Sequence, residues 1–340
     1  MIRSGHMTGS VDSKGWPITF EDILAARERL RPYLRPTPLR SYAPLDAAIG
    51  RGIQVWVKHE NHNPTNSFKA RNGLSVLTAL PVEERHGGVV AATRGNHGLG
   101  LAHAGRLLGV PVTICVPRGN NPEKNAAVRG LGATLVEEGR DYDEAVEVAA
   151  RLVRDHGLRA VHSTDEPLVM AGAGTLTLEI LLERPDIDAL VIAVGGGSQA
   201  VGALTVARRL RPGLEVHAVQ AERASAVHDS WRAGRLVETA TADTFADGLA
   251  TRKVYDIALA PLRAGLAGFV TVSEKAIAEA IGLLIRTTHN LAEGAGAAGL
   301  AGLMALRDRL SGRRVGIVLS GGNIDEATLR RVLDGAIGEA

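Results

Sequence analysis

The sequence is poor in several features that would exclude or favour whole classes of protein. Its single cysteine, Cys115, excludes an intramolecular disulfide, and aromatic residues make up only 3% of the 340 residues. Lysine and arginine number 39 against 37 aspartate and glutamate residues, which gives a formal net charge of +2. Proteins that bind nucleic acid need a basic surface and often rings for base stacking, so we expect no nucleic-acid partner.

Long apolar runs are missing as well. No run reaches transmembrane length and no signal-peptide pattern opens the sequence, which predicts a cytoplasmic protein that does not bind membranes. The start MIRSGHM resembles a vector-derived scar, and residues 1–10 are interpreted as a tag or a disordered segment. Cys115 lies in the apolar run VTICV, where a packed core thiol is expected.

Strand-like and helix-like patterns alternate along most of the chain. Helix-length stretches, such as those from 99 to 108, from 141 to 153 and from 274 to 285, separate runs that are typical of buried strands. Such alternation predicts an α/β protein with parallel sheets covered by helices. The predicted strands lie near 53–58, 88–92, 112–116, 134–137, 159–162, 189–194, 215–220 and 314–319.

Lys69 stands where a reactive amine could be placed. It directly follows Phe68 and a polar segment that comes after the strand-like run 53–58, so it is predicted at the carboxyl end of a sheet. A lysine beside an aromatic ring in a partly desolvated pocket can lose its proton and bond covalently to an aldehyde. The alternative is an ordinary lysine in the first turn of a helix.

Three further segments place polar groups after predicted strands. Gly195, Gly196 and Gly197 would let backbone N–H groups converge on an anion, with Ser198 as a hydroxyl donor. The segment TRGNHG at 93–98 and the segment SGGN at 320–323 add amide and hydroxyl groups. Each segment alone is also typical of a plain turn, and a histidine at 97 could simply cap or pack against a helix.

Together, these segments resemble those of the fold-type II pyridoxal-phosphate enzymes, in the branch of threonine and serine dehydratases and serine racemase. The resemblance covers nearly the whole chain, from about residue 20 to 325. It rests on NSFKAR at 66–71, GNHG at 95–98, GGGS at 195–198, ADG at 246–248, EGAGA at 293–297 and SGGN at 320–323.

The resemblance implies two open, twisted, mostly parallel sheets flanked by helices, and pyridoxal 5'-phosphate as the cofactor. It divides the chain into a large cofactor-binding domain of residues 11–84 and 162–340 and a small mobile domain of residues 85–161. Closure of the small domain would bring the GNHG loop onto the cofactor. A homodimer is what the relatives suggest.

The resemblance also implies roles for individual residues. Lys69 is expected to bond to the cofactor and to remove the α-proton, and Ser320 is expected to face the ring nitrogen as an uncharged partner. The other expected cofactor contacts are Phe68, Asn96, Gly195, Gly196, Gly197, Ser198 and Glu293. The substrate is expected to meet Ser67, Arg94, Gly95, Asn96 and His97.

Two departures from the relatives matter. Arg94 stands where relatives have alanine or serine, and an arginine stays protonated and is a poor base, which argues against racemisation. It either contacts an acidic group of the substrate or leaving group, or points away and pairs with a protein carboxylate. Gln220 and Ala226 stand where metal-dependent members carry carboxylates, so no metal site is expected.

The expected function is the elimination of the β-hydroxyl and amino groups of L-threonine or L-serine to a 2-oxo acid and ammonia. One alternative is a lyase or β-replacement enzyme for an unusual or acidic β-substituted amino acid, such as 3-hydroxyaspartate. Another alternative is a catalytically silent protein that binds the cofactor or amino acids.

Overall fold

The structure is a computed structural model that describes residues 15–338. The predicted tag segment 1–10 lies outside these residues. The strands are β1 (Leu39–Ser41), β2 (Gln54–His59), β3 (Val89–Ala92), β4 (Val112–Val116), β5 (Thr134–Glu137), β6 (Arg159–Ala160), β7 (Ala189–Ala193), β8 (Glu215–Ala221), β9 (Gly268–Val272) and β10 (Arg314–Leu319).

The helices enclose these strands. They are α1 (Phe20–Leu30), α2 (Ala43–Ile49), α3 (Lys69–Ala79), α4 (Val82–Arg85), α5 (Asn96–Leu108), α6 (Pro122–Gly130), α7 (Tyr142–His156), α8 (Pro167–Glu183), α9 (Ser198–Leu210), α10 (Ala226–Ala233), α11 (Asp256–Gly265), α12 (Glu274–Thr288), α13 (Gly294–Leu306) and α14 (Glu326–Leu333).

The strands form two separate, mostly parallel sheets, which confirms the predicted fold class. The six-stranded sheet has the order β1-β2-β10-β7-β8-β9, and only β1 runs antiparallel to its neighbour. Its central strand β7 is buried along its whole length, as expected for a parallel strand covered on both faces. The four-stranded sheet has the order β5-β4-β3-β6 and is parallel throughout.

The four-stranded sheet draws its strands from residues 89–160, inside the segment predicted as the small domain. Apolar cores lie against both faces of the six-stranded sheet, and a third core covers the four-stranded sheet. Whether residues 85–161 move as a unit stays a prediction. Cys115 is buried, as expected for a core thiol, and burial raises its pKa to about 11.

Helices α3 and α5 meet without side chains between their backbones. A Cβ on Gly73 would lie 2.2 Å from the carbonyl oxygen of Gly100, and a Cβ on Gly100 would lie 2.1 Å from that of Lys69. Only glycine allows two backbones to approach this closely. The contact fixes the first residue of α3 beside the helix that carries the GNHG segment.

The predicted elements differ from the structure in four places. Strands β1 and β9 were not predicted, and both lie at the edges of the six-stranded sheet. The predicted strand near 159–162 contains only two residues with strand geometry. Helix α5 begins at Asn96, three residues before the predicted start at Leu99, because its backbone continues through Gly98.

Among the described residues, no helix is both long and apolar enough to cross a membrane.

Candidate active site

The carboxyl ends of three neighbouring strands bring the predicted residues together. Strands β2, β10 and β7 are adjacent and parallel, so the segments that follow them emerge at one edge of the sheet. The segment after β2 leads to Lys69, the one after β10 begins at Ser320, and the one after β7 is the glycine run at 195–198. The Phe68 N–H donates to the Ser320 carbonyl oxygen at 3.0 Å, which joins the first two segments.

Lys69 is the first residue of α3, but its side chain does not behave as a surface lysine. Its Nζ lies 4.7 Å from the centre of the Phe68 ring and donates to the Ser163 carbonyl oxygen at 3.4 Å. Burial lowers the pKa of Lys69 to about 8, against an opposing effect of Glu293. About a tenth of this amine is therefore neutral at pH 7, and able to act as a nucleophile or base, far more than for an ordinary lysine.

The glycine run at 195–198 forms a tight turn into α9. A Cβ on Gly196 would lie 2.0 Å from the Thr164 hydroxyl oxygen, and Gly197 has φ +109°. Both positions therefore require glycine. The turn delivers backbone N–H groups and the buried Ser198 at the start of a 13-residue helix, a geometry that suits an anion such as a phosphate.

Asn96 takes part in a chain of side-chain hydrogen bonds that crosses between the two sheets. Its Nδ2 donates to Glu293 Oε1 at 2.5 Å, and its Oδ1 accepts from Asn323 Nδ2 at 2.7 Å. Asn323 also donates to the Thr65 carbonyl oxygen at 2.9 Å. Burial raises the pKa of Glu293, with Lys124 acting in the opposite direction.

Two buried serine hydroxyls face this region. The Ser320 hydroxyl makes one long hydrogen bond, 3.3 Å to the carbonyl oxygen of Ala295. The Ser67 hydroxyl has no hydrogen-bond partner within residues 15–338, although the residue is fully buried. Buried polar groups normally have partners, so an unpartnered hydroxyl indicates a group that can bind a ligand.

His97, the third residue of the GNHG segment, is buried. Its Nε2 lies 3.1 Å from the carbonyl oxygen of Val161, and burial lowers its pKa to about 3. A neutral, packed histidine is thus the alternative that the geometry favours. Contact between His97 and the substrate stays a prediction.

Arg94 borders a cavity of about 440 Å³ that Glu293 and Asn323 also line. Arg94 lines the cavity, is exposed, and makes no ion pair within 4.0 Å among residues 15–338. Arg94 therefore has no carboxylate partner among these residues, and its contact with an acidic group of the substrate stays a prediction. Gly95 faces Lys124, because a Cβ on Gly95 would lie 3.8 Å from Lys124 Nζ.

Three further residues of the cavity region had no predicted role. Lys124 on α6 forms an ion pair with Asp247, and this pair joins the region of the four-stranded sheet to the loop before α11. Burial alone would lower the pKa of Lys124, but Asp247 raises it overall. Asp247 and Asn323 belong to the segments ADG and SGGN, on which the family resemblance rests. Membership of these segments was the only sequence signal that could have indicated a role for them. Lys124 stood in no such segment.

Comparison with known proteins shows the family of this chain. Residues 30–321 match the profile of a family described as pyridoxal-phosphate dependent enzyme. The chain belongs to this family. Members of the family depend on pyridoxal phosphate, so the predicted cofactor is confirmed.

Curated relatives within the pyridoxal-phosphate dependent enzymes include two kinds of ammonia-lyase. The L-threonine ammonia-lyase of Thermotoga maritima is 37% identical over 317 residues, which are 93% of this chain and 78% of that protein. The L-threo-3-hydroxyaspartate ammonia-lyase of Saccharomyces cerevisiae is 32% identical over 317 residues, which are 93% of this chain and 97% of that protein.

Solved structures of pyridoxal-phosphate dependent enzymes share the fold. Maize serine racemase superposes with a TM-score of 0.89 at 26% identity, covering 94% of this chain and 98% of that one. The threonine deaminase of the organism abbreviated T.th. superposes with a TM-score of 0.85 at 35% identity, covering 90% of this chain and 99% of that one.

The residues present fit the cofactor of this family. An aldehyde needs an amine that is partly neutral, and burial gives Lys69 that property. A phosphate needs converging N–H groups, which the turn at 195–198 and α9 provide. The unpartnered Ser67 hydroxyl adds a buried polar group with free hydrogen-bonding capacity.

The predicted loss of the metal site concerns the segment around β8. Gln220 is buried there, and its Oε1 accepts from the His228 N–H at 3.0 Å at the start of α10. Within residues 15–338, no group of three or more histidine, cysteine, aspartate or glutamate side chains could hold a metal ion.

Proposed function

We propose that the protein is an ammonia-lyase that converts a β-hydroxy amino acid, L-threonine or L-serine, into a 2-oxo acid and ammonia. The observation that carries the proposal is the buried Lys69 amine, whose pKa is lowered to about 8, beside the phosphate-type turn at 195–198. The L-threonine ammonia-lyases of Thermotoga maritima and Geobacter sulfurreducens, 37% and 38% identical, support the reaction class.

Seven further residues would hold pyridoxal phosphate around Lys69. The Lys69 amine bonds to the aldehyde, Phe68 packs against the ring, and Asn96 contacts the phenolic oxygen. Glu293 lies near the ring edge. The phosphate is held by Gly195, Gly196, Gly197 and Ser198. When bound, the cofactor supplies a sink for the electron pair that is left on the α-carbon after proton removal.

Lys69 also performs the proton transfer in this proposal. When it is not bonded to the cofactor, the Lys69 amine would accept the α-proton of the substrate. A well-placed base of this kind contributes about 10²- to 10⁴-fold to the rate. The lowered pKa supports the role, because a protonated ammonium could not accept the proton.

Ser320 would set the protonation state of the cofactor's ring nitrogen, because its hydroxyl is an uncharged hydrogen-bond partner. An acidic residue at this place would keep the nitrogen protonated and strengthen electron withdrawal, whereas a serine leaves it largely neutral. A weaker sink favours prompt loss of the β-hydroxyl over accumulation of a carbanion. The hydroxyl leaves as water, and a water molecule later releases ammonia, so the overall reaction is a deamination.

The substrate carboxylate would be received by Ser67 and by the GNHG loop, which contributes Gly95, Asn96 and His97. The unpartnered hydroxyl of Ser67 supports this assignment. Movement of residues 85–161 toward the larger domain would close the loop over the substrate and exclude water.

The test compares Lys69→Ala with Lys275→Ala, which removes an exposed lysine on α12. Each protein is loaded with pyridoxal phosphate and assayed for 2-oxo acid and ammonia from L-threonine and L-serine. Lys69→Ala should lose turnover and the visible absorbance of the covalently bound cofactor, and Lys275→Ala should keep both. An active Lys69→Ala protein would end the proposal.

The same assay separates the rival functions. A β-replacement enzyme would need a second nucleophile, so release of ammonia and 2-oxo acid without one excludes it. A silent binding protein would show the cofactor colour with no turnover on any β-hydroxy amino acid. We further propose a cytoplasmic homodimer, as the resemblance implies; light scattering of the purified holoenzyme measures the assembly.

A further inference from the structure

One edge of the four-stranded sheet carries a row of arginines. Strands β3, β4 and β5 are adjacent and parallel, and each is followed within three residues of its carboxyl end by an arginine. These are Arg94 after β3, Arg118 after β4 and Arg140 after β5. Because carboxyl ends of parallel strands share one edge, the topology places all three at the same edge.

The arginine row faces the cavity of about 440 Å³ in front of the candidate active site. Arg94, Arg118 and Arg140 line it on one side. Glu293 and Asn323, which form the hydrogen-bond chain with Asn96, line it on the other. A molecule in the cavity can therefore touch Glu293 or Asn323 as well as the arginines, although Lys69 and the turn at 195–198 do not line this cavity.

The positive charges of the cavity are only partly neutralised. Lys124 pairs with Asp247, and the Arg140 Nε donates to Glu144 Oε1 at 2.6 Å. Arg94 and Arg118 make no ion pair within 4.0 Å of any carboxylate in residues 15–338.

The remaining wall does not offset these two arginines. Asp325 and Arg331 contribute one charge of each sign there. Asp325 already caps α14, since it accepts from the Thr328 N–H at 2.8 Å. Arg94 therefore reaches the cavity without a protein counter-ion among residues 15–338, whereas Arg118 lies near enough to Glu138 and Glu144 to interact with their charges.

We propose that Arg94 and Arg118 bind a second carboxylate on the substrate, so that the preferred substrate is a β-hydroxy amino acid with an acidic group on its β-carbon. The inference rests on the proposed elimination reaction, and it changes the preferred substrate from L-threonine or L-serine to an acidic β-hydroxy amino acid. The proposed contacts of the α-carboxylate are Ser67 and the GNHG loop, so Arg94, which precedes that loop, is left for a second acidic group. Planar guanidinium groups bind carboxylates through two parallel hydrogen bonds.

The chemistry is unchanged by this preference. For 3-hydroxyaspartate, the α-proton moves to Lys69, the bond from the β-carbon to the hydroxyl breaks, and the hydroxyl leaves as water with one proton. Hydrolysis of the resulting carbon–nitrogen double bond returns one water and releases ammonia. The product is a 2-oxo dicarboxylic acid, and no oxidant or reductant is needed.

The experiment measures kcat/KM of the holoenzyme on L-threo-3-hydroxyaspartate and on L-threonine. Wild-type protein should favour the acidic substrate. The double substitution Arg94→Gln, Arg118→Gln should lower kcat/KM for the acidic substrate by about 10- to 100-fold more than for threonine. Arg129→Gln, which removes an exposed arginine of α6 that does not line the cavity, should leave both values unchanged.

Three outcomes would overturn the inference. Equal losses on both substrates would show a structural role of the arginines, and a wild-type preference for threonine would show that no acidic group is selected. Faster turnover of O-phospho-L-serine than of 3-hydroxyaspartate would assign the arginines to an anionic leaving group instead of a carboxylate.

A binding measurement separates this inference from the proposed function. L-Aspartate and L-alanine lack a β-hydroxyl, so neither can undergo the elimination, but each can perturb the visible absorbance of the holoenzyme. Tighter binding of aspartate that disappears in the double variant supports the carboxylate site even if no β-hydroxy amino acid is turned over. Equal affinities in wild type and variant overturn it.

Discussion

The backbone contact between α3 and α5 gives the sharpest prediction for stability. In Gly100→Ala, the new Cβ would lie 2.1 Å from the Lys69 carbonyl oxygen and 2.6 Å from its carbonyl carbon. Real Cβ atoms essentially never come within 3.0 Å of another heavy atom, so the two helices must move apart by about 1 Å. No flexible side chain is present at the contact to absorb the change.

The expected loss follows from this displacement. Forcing extra volume into a packed interior costs about 1–3 kcal/mol, and we expect at least about 2 kcal/mol because backbone must move. Buried apolar residues of both helices, such as Leu74 and Leu101, would lose contacts in addition. The displaced atom belongs to Lys69, and a misplacement of about 1 Å at a catalytic group can cost about 100-fold in rate.

The assay combines denaturant unfolding with turnover on the preferred substrate. Gly130→Ala is the matched control, because Gly130 ends α6 at an exposed position and its Cβ would meet nothing within 4 Å. It should be neutral or stabilise the protein by about 0.5 kcal/mol, since alanine restricts the unfolded chain. The reasoning is refuted if Gly100→Ala unfolds at the wild-type denaturant concentration.

Two other predictions concern charged groups near the cavity. The apoenzyme should take up pyridoxal phosphate faster as the pH rises through about 8 and then level off, because burial lowers the Lys69 pKa to about 8 and only the neutral amine attacks; a stopped-flow rate independent of pH would contradict this. Asp247→Asn should cost about 1 kcal/mol of stability, because its side chain is 54% exposed but its partner Lys124 only 11%. A double-mutant cycle with Lys124→Met checks that value, and a coupling energy near zero would argue against the pair.

Local patterns predicted the buried strands and the edge strand β5, but they missed both edge strands of the six-stranded sheet. Strand β1 has three residues, of which one is buried, so it shows no period that could be recognised. Strand β9 is half-buried at the opposite edge and begins at a glycine. The predicted start of α5 was too late because glycine disfavours helix, so Gly95 and Gly98 did not indicate a first helical turn. This turn packs against neighbouring residues.

The candidate site was predictable where a residue follows a strand and not where it depends on a distant partner. Lys69, Ser320 and the turn at 195–198 each continue a buried strand, and the order of strands brings them together. The hydrogen bond from Asn96 to Glu293 joins residues 197 positions apart. No local pattern encodes such a pair, and the same holds for Lys124 and Asp247, 123 positions apart.

The glycine contact between α3 and α5 also restricts how the two sheets can rearrange. If residues 85–161 close as predicted, the backbone contact between Gly73 and Gly100 would favour rotation about this contact over sliding or separation of the two helices. Rotation about this contact would leave Lys69 nearly in place, because its carbonyl oxygen lies in the contact.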